Sequence, residues 1–389
     1  CNQRRVRRGV PPVNIEPPTG ETDDDNDIDS DATDNIVDGD TPEAATCPLE
    51  GAVFHVDATA EGGDGTSWDR AMVRLQDAVD AAAVRALSCG TVSRVRVREG
   101  TYAIFEDHPD NALVLRAGVV LMGGFAGDET DDAQRNSLLH PTILDGRGQD
   151  GARVRHVVIG ADDAVLDGFT VTGGSADGDG SSACGGGLFN RDASTLVRHC
   201  SFIANASTGC GGAVYNAGGA PRFEHTRFEG NISEEDGGAA FNEATIARFD
   251  DCTFIDNVAQ NFGGGAITLQ GDVDFVDCAF ADNTARGGGA LAGGDSVVSI
   301  RDSGFTANNA HFGGAIFDQN PLSFSAEDCT FTDNYAQEQG ASAFLVDGDN
   351  DGSTTVSSCL FEGGAPQEID VLDVFDGSSE PLITDCTFQ

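Results

Sequence analysis

The chain has 389 residues, 65 acidic against 22 basic, and a formal net charge of −43 at pH 7. Every basic side chain is Arg, and a charge of this sign and size excludes nucleic acid and other polyanions as direct electrostatic partners. No run of about 18 apolar residues occurs, which excludes a transmembrane helix; the large core residue is Phe, with 23 copies against one Trp and two Met.

Residues 1–49 hold Pro11, Pro12, Pro17 and Pro18, then an acidic run from Glu21 to Asp40. Low hydrophobicity with high charge does not repay the entropy of folding, so this stretch is expected to be a disordered, self-repelling spacer. Cys1 followed by a polar stretch resembles a processed bacterial lipoprotein. The resemblance implies a lipid on Cys1, attachment to a membrane, and a place in the cell envelope, at the outer membrane or cell surface.

Order is expected from about Gly51. Val53, Phe54 and Val56 suggest a short strand, and Gly62-Gly63-Asp64-Gly65 a turn. Met72, Leu75, Val79 and Ala83 fall at helical spacing, predicting a helix from about Asp69 to Leu87 capped by Ser67 or Asp69. Val95 and Val97 alternate with Arg as in a strand that Gly100 ends. The chain thus divides into a spacer (1–49), an N-terminal strand with a capping helix (50–92), and a repetitive body (93–389).

The body repeats Cys-x-Phe-x-x-Asn followed by Gly-Gly-Ala. Its signature Phe stands at 202, 228, 254, 280, 305 and 331, with looser copies at Phe361 and Phe388. Asn follows at 205, 231, 257, 283, 308 and 334. Alternation such as Cys252 and Phe254 has a period of two, which puts both side chains on one face of a strand. One coil of about 26 residues therefore holds about three short strands, and coils pair as parallel strands roughly 4.8 Å apart. The expected fold is an all-β parallel β-helix, with inward columns of Phe and Cys and with Asn amides hydrogen-bonding between coils at a turn.

Phe-x-x-Asn with Gly-Gly-Ala resembles the repeat of chlamydial polymorphic outer-membrane proteins. Gly65-Thr66-Ser67-Trp68, Val97-Arg98-Glu99-Gly100-Thr101-Tyr102, Gly123-Gly124-Phe125-Ala126-Gly127 with Glu129, and Pro141-Thr142-Ile143-Leu144-Asp145-Gly146 resemble bacterial right-handed β-helix repeat proteins of the pectin-lyase-like superfamily. The resemblance runs from about residue 51 to the end and implies a right-handed solenoid.

Eleven Cys in an exported chain permit disulfides. The stacked repeat cysteines read better as thiols filling a core column, whereas Cys184 with Cys210, before successive Gly-rich corners, and Cys47 with Cys89 are the candidate bridges. The residue three before each signature Phe is His199, His225, Asp251, Asp277, Asp302 and Asp328. It should point outward beside an inward Cys, giving a ladder of carboxylates that bound calcium would relieve of repulsion. Salt-screened side chains in solvent are the simpler expectation. Asp347-Gly348-Asp349-Asn350-Asp351-Gly352 fits the first half of a calcium loop, but Ser358 replaces the glutamate at its twelfth position. No other cofactor is expected.

Enzymes of the resembled superfamily hold calcium on acidic sugar polymers and use Arg or Lys as base. From Phe169 onward, 33 acidic residues face only seven Arg, which reads against a polyuronate substrate. The expected function is an extended surface for binding or adhesion, toward a polysaccharide or protein ligand, without catalysis. A polysaccharide lyase or hydrolase is the alternative.

Overall fold

A computed structural model describes Cys47 and residues 51–340, 343–346, 353–363, 372–375 and 382–389. Cys1, the acidic run, and Asp347, Asp349 and Asp351 lie outside the described residues.

Three parallel sheets wrap around one core, with 12, 11 and 10 strands among the described residues. One coil shows the pattern. Asp272–Val276 lies in sheet I, Ala279–Ala281 in sheet II and Leu291–Gly294 in sheet III, and Val297–Arg301 then re-enters sheet I. The registers stack like on like: Phe228 pairs with Phe254, Phe254 with Phe280, and Phe280 with Phe305. Their rings lie face to face at centroid distances of 4.7, 4.6 and 4.9 Å. A second column, Phe223, Phe249 and Phe275 of sheet I, meets the first edge-on inside the solenoid. The alternating-residue pattern thus becomes two interlocked aromatic stacks, each pair adding to area burial.

The regular spacing of Asn has an equally direct cause. Asn231 Oδ1 accepts from both the backbone N–H and the side-chain amide of Asn205. Asn231 then donates to Asn257 Oδ1 and, across the other side, to the Phe202 carbonyl. The chain of amides continues through Asn257, Asn283 and Asn308 to Asn334. All six Asn are buried, and Asn205 to Asn308 each tie three coils together, satisfying backbone groups that the corner would otherwise orphan. A second amide ladder, Asn190 to Asn216 to Asn242, runs inside sheet III.

The repeat cysteines fill a column as free thiols: Cys200, Cys252, Cys278, Cys329 and Cys359 are buried and unbridged. Cys252 donates to the Asp250 carbonyl. Cys184 is bonded to Cys210, and Cys47 to Cys89.

At the N-terminal end, Val53–Val56 forms the first rung of sheet I and pairs with Ser93–Arg98. The helix is shorter than its periodicity predicts, running from Leu75 to Cys89. Met72 is held in extended backbone against His55 and Asp57, which delays the helix, and Trp68–Arg70 makes only a short 3-10 turn. Leu75, Ala78, Val79, Ala82 and Ala86 press on the end of the core.

Candidate functional site

Each coil turns through corners made by single residues in the left-handed region. At the corner from sheet I to sheet II these are His199, His225, Asp251, Asp277, Asp302, Asp328, Ser358 and Asp385, with φ between 47° and 55°. Asp and His are among the few side chains that accept such a backbone without large strain. The corner amide stays in the ladder, Asp251 N–H donating to the Val276 carbonyl and Asp277 N–H to that of Arg301.

The predicted ladder is therefore present and exposed, but the backbone accounts for it. Asp251, Asp277, Asp302 and Asp328 stand one per rung, and among the described residues no three His, Cys, Asp or Glu side chains converge as a metal-holding group. Stacked corners thus supply one carboxylate per rung.

Sheet II ends at a second such corner, formed by Ala204, Gly230, Asp256, Asp282, Ala307, Asp333 and Gly363. Asp256, Asp282 and Asp333 are exposed. Between the two columns the outward positions over four rungs are Thr253, Ile255, Ala279, Ala281, Gly304, Thr306, Thr330 and Thr332. All but Ile255 are small or β-branched Thr, so the strip is flat. A glycine column precedes sheet III. At Gly237 (φ 66°) a Cβ would lie 2.4 Å from the Ala240 carbonyl oxygen, so only glycine fits.

The outer face of sheet III is closed differently. Tyr215, Phe241, Ile267 and Phe317 are buried there against Phe262, Phe312 and the Cys184–Cys210 bridge. Sheet I is charged outside; Arg248 binds Asp250 within its own strand and Asp274 one rung on.

At the N-terminal end of the first corner column lies a cluster that repeat analysis missed. Asp167, at the end of a sheet I strand, is buried and receives Arg135, Arg198 and His199. Burial pushes its carboxyl up, and the Arg135 and Arg198 guanidiniums outweigh that, holding it below the ordinary carboxylate value. Arg135 also donates to the Gly123 and Asp167 carbonyls, pinning the segment 126–140 onto sheet I. His199 Nδ1 is 3.1 Å from Asp167 Oδ1, and His225 Nδ1 is 2.7 Å from Asp251 Oδ2. The two rings stack at 5.2 Å with 16° between planes. The equivalent positions of the two His were visible in the sequence. Asp167 and Arg135 carried no repeat signal.

Residues 235–388 match the family model described as right handed beta helix region. No curated protein matches. A rhamnogalacturonan lyase is similar over 87% of this chain and 88% of its own, at 12% identity and a TM-score of 0.45. The pectin methylesterase from Aspergillus niger is similar over 86% and 93%, at 13% identity and a TM-score of 0.38. The Streptococcus pneumoniae surface protein and adhesin PfbA is similar over 85% and 96%, at 11% identity and a TM-score of 0.36. Stacked rungs, inward columns and the family match agree: the chain is a right-handed parallel β-helix.

Proposed function

We propose that the solenoid is a rigid, non-catalytic scaffold whose binding face is the outer surface of sheet II, between the two corner columns. One observation carries the reading: a flat strip of short side chains, from Thr253 to Thr332, lies between rails of exposed carboxylates at Asp251, Asp277, Asp302 and Asp328 and at Asp256, Asp282 and Asp333. A flat face held by backbone ladders loses little conformational entropy on binding. Carboxylates along both edges accept hydroxyl or ammonium hydrogen bonds and repel uronates. The ligand class is accordingly a neutral or amine-bearing surface polysaccharide, lying across the rungs. In this reading the acidic segment serves as a tether that holds the face off the cell surface. The Pro- and Asp-rich composition of that segment supports the tether.

The test is an array of neutral, amino-sugar and uronic polysaccharides, with product release measured on every polymer bound. Binding to the first two classes without cleavage is expected, and the double variant A279R/T306R should weaken it at least tenfold with no change in melting temperature. Cleavage of any bound polymer, or binding indifferent to both arginines, would overturn the proposal.

A further inference from the structure

We propose that His199 and His225 form a two-imidazole site for a divalent transition-metal ion, at the corner between sheets I and II. Several features set these two residues apart from the aspartates that follow them in the column. Each imidazole has its Nδ1 at a carboxylate oxygen, Asp167 for His199 and Asp251 for His225. A carboxylate only accepts, so it selects the tautomer with the proton on Nδ1 and leaves the lone pair on Nε2. A carboxylate behind the ring is also the usual support of a metal-bound histidine, fixing the tautomer and raising the basicity of the ligating nitrogen.

The support is firm on one side. Asp167 is itself held by Arg135 and Arg198, so the His199 acceptor does not swing away. The rings lie nearly parallel, one rung apart, at 5.2 Å. Their side chains are 48% and 54% exposed, which leaves both rings open to solvent on one side. Binding would turn the rings out of the parallel stack until both in-plane Nε2 lone pairs meet one ion at about 2.0–2.1 Å, with water completing the shell. Imidazole nitrogen selects zinc, copper and nickel over calcium and magnesium, which favour oxygen. The net charge of −43 draws cations toward the surface. The remaining rungs of the column carry Asp or Ser and supply no side-chain nitrogen.

The experiment is a titration of the full chain with Cu2+ alone, followed by calorimetry and electron paramagnetic resonance. With one equivalent bound, the copper signal should show coupling to two imidazole nitrogens. His199→Asn or His225→Asn should leave one and weaken binding at least tenfold, and the double variant should show none. Asn is used because it accepts the left-handed backbone, and thermal melts of the apo proteins check the fold. Asp251→Asn keeps both rings and should preserve the two-nitrogen signal while lowering affinity about 10–100-fold; it carries the test if either His variant melts early. Copper bound through oxygen alone in the unaltered chain, or nitrogen coupling that survives the double variant, would overturn the proposal.

Discussion

The repeated coils and the N-terminal coils solve the same problem with different chemistry. Between Cys200 and Asn334 every rung reuses the rung before it: Phe on Phe, Asn on Asn, and a left-handed corner on a left-handed corner. From Gly51 to Gly168 almost nothing recurs, and single contacts take over. Arg98 binds Asp57, Arg96 binds Asp132, Arg135 binds Asp167, and the Glu129 carboxylate collects the backbone N–H groups of Ala126, Gly127 and Asp128. In a solenoid each rung touches only its neighbours. A repeated residue therefore reports what the backbone needs, and an unrepeated polar one reports a local task.

Phe254→Ala should show the largest loss. The ring stacks on Phe228 and Phe280 and meets Phe249 and Phe275 edge-on, so truncation should cost about 3–5 kcal/mol in denaturant melts. Hydrogen exchange should place the weakened amides in the adjoining rungs. Asp167→Ala tests the other region. It strands Arg135 and Arg198, and breaking a buried pair costs about 3–5 kcal/mol. Proteolysis should then open the 126–140 segment first, while the repeat coils stay protected. If both variants unfolded the same rungs, the contrast between the two regions would be wrong.

Two carboxyls inside the repeat region break its columns. Asp236 follows Cys184 and Cys210 at the corner before sheet III and precedes Phe262, whose N–H it accepts. Burial pushes it up to about 6. Asp318 occupies the inward column of Asn190, Asn216 and Asn242, one rung beneath Gly293, and burial pushes it well above the carboxylate range. An acid whose folded value is raised contributes fully below its unfolded value and loses that contribution as pH rises through the folded one. Asp236 should therefore cost stability between about pH 4 and 6, by about 2–3 kcal/mol, and Asp318 should extend the loss to higher pH. Melts across pH should show Asp236→Asn and Asp318→Asn gaining on the unaltered chain as pH rises. Equal pH profiles would mean that neither acid is held neutral.

Asn257→Ala should have the smaller effect, about 1–3 kcal/mol, because it leaves the Asn231 amide and the Phe228 carbonyl short of partners. Its loss should match that of Asn283→Ala, as the ladder is uniform.

The period, the Phe column, the thiols and the Asn ladder were legible because each recurs about every 26 residues. The sheet I column of Phe223, Phe249 and Phe275 recurs as well, but the next rung carries Ile300, and two Phe per coil fall on one face only once the corner is known. The aspartate ladder was visible and its cause was not. A left-handed corner and a calcium site call for the same residue type, so the residue alone does not reveal the backbone angle. Asp167 and Arg135 sit 32 residues apart without a counterpart in other coils, so no periodic signal marks them. The helix start was misplaced because Met72 fits the apolar face yet pairs with Val56.

If the corner aspartates answer to backbone shape alone, neither their charge nor calcium should matter to the fold. Asp277, Asp302 and Asp328 are replaced together by Asn, leaving Asp251 and the histidines intact, and thermal melts are recorded with and without calcium. The predicted result is a melting temperature that changes with neither the substitutions nor the ion. A calcium-dependent rise in the unaltered chain that the triple variant abolishes would contradict it.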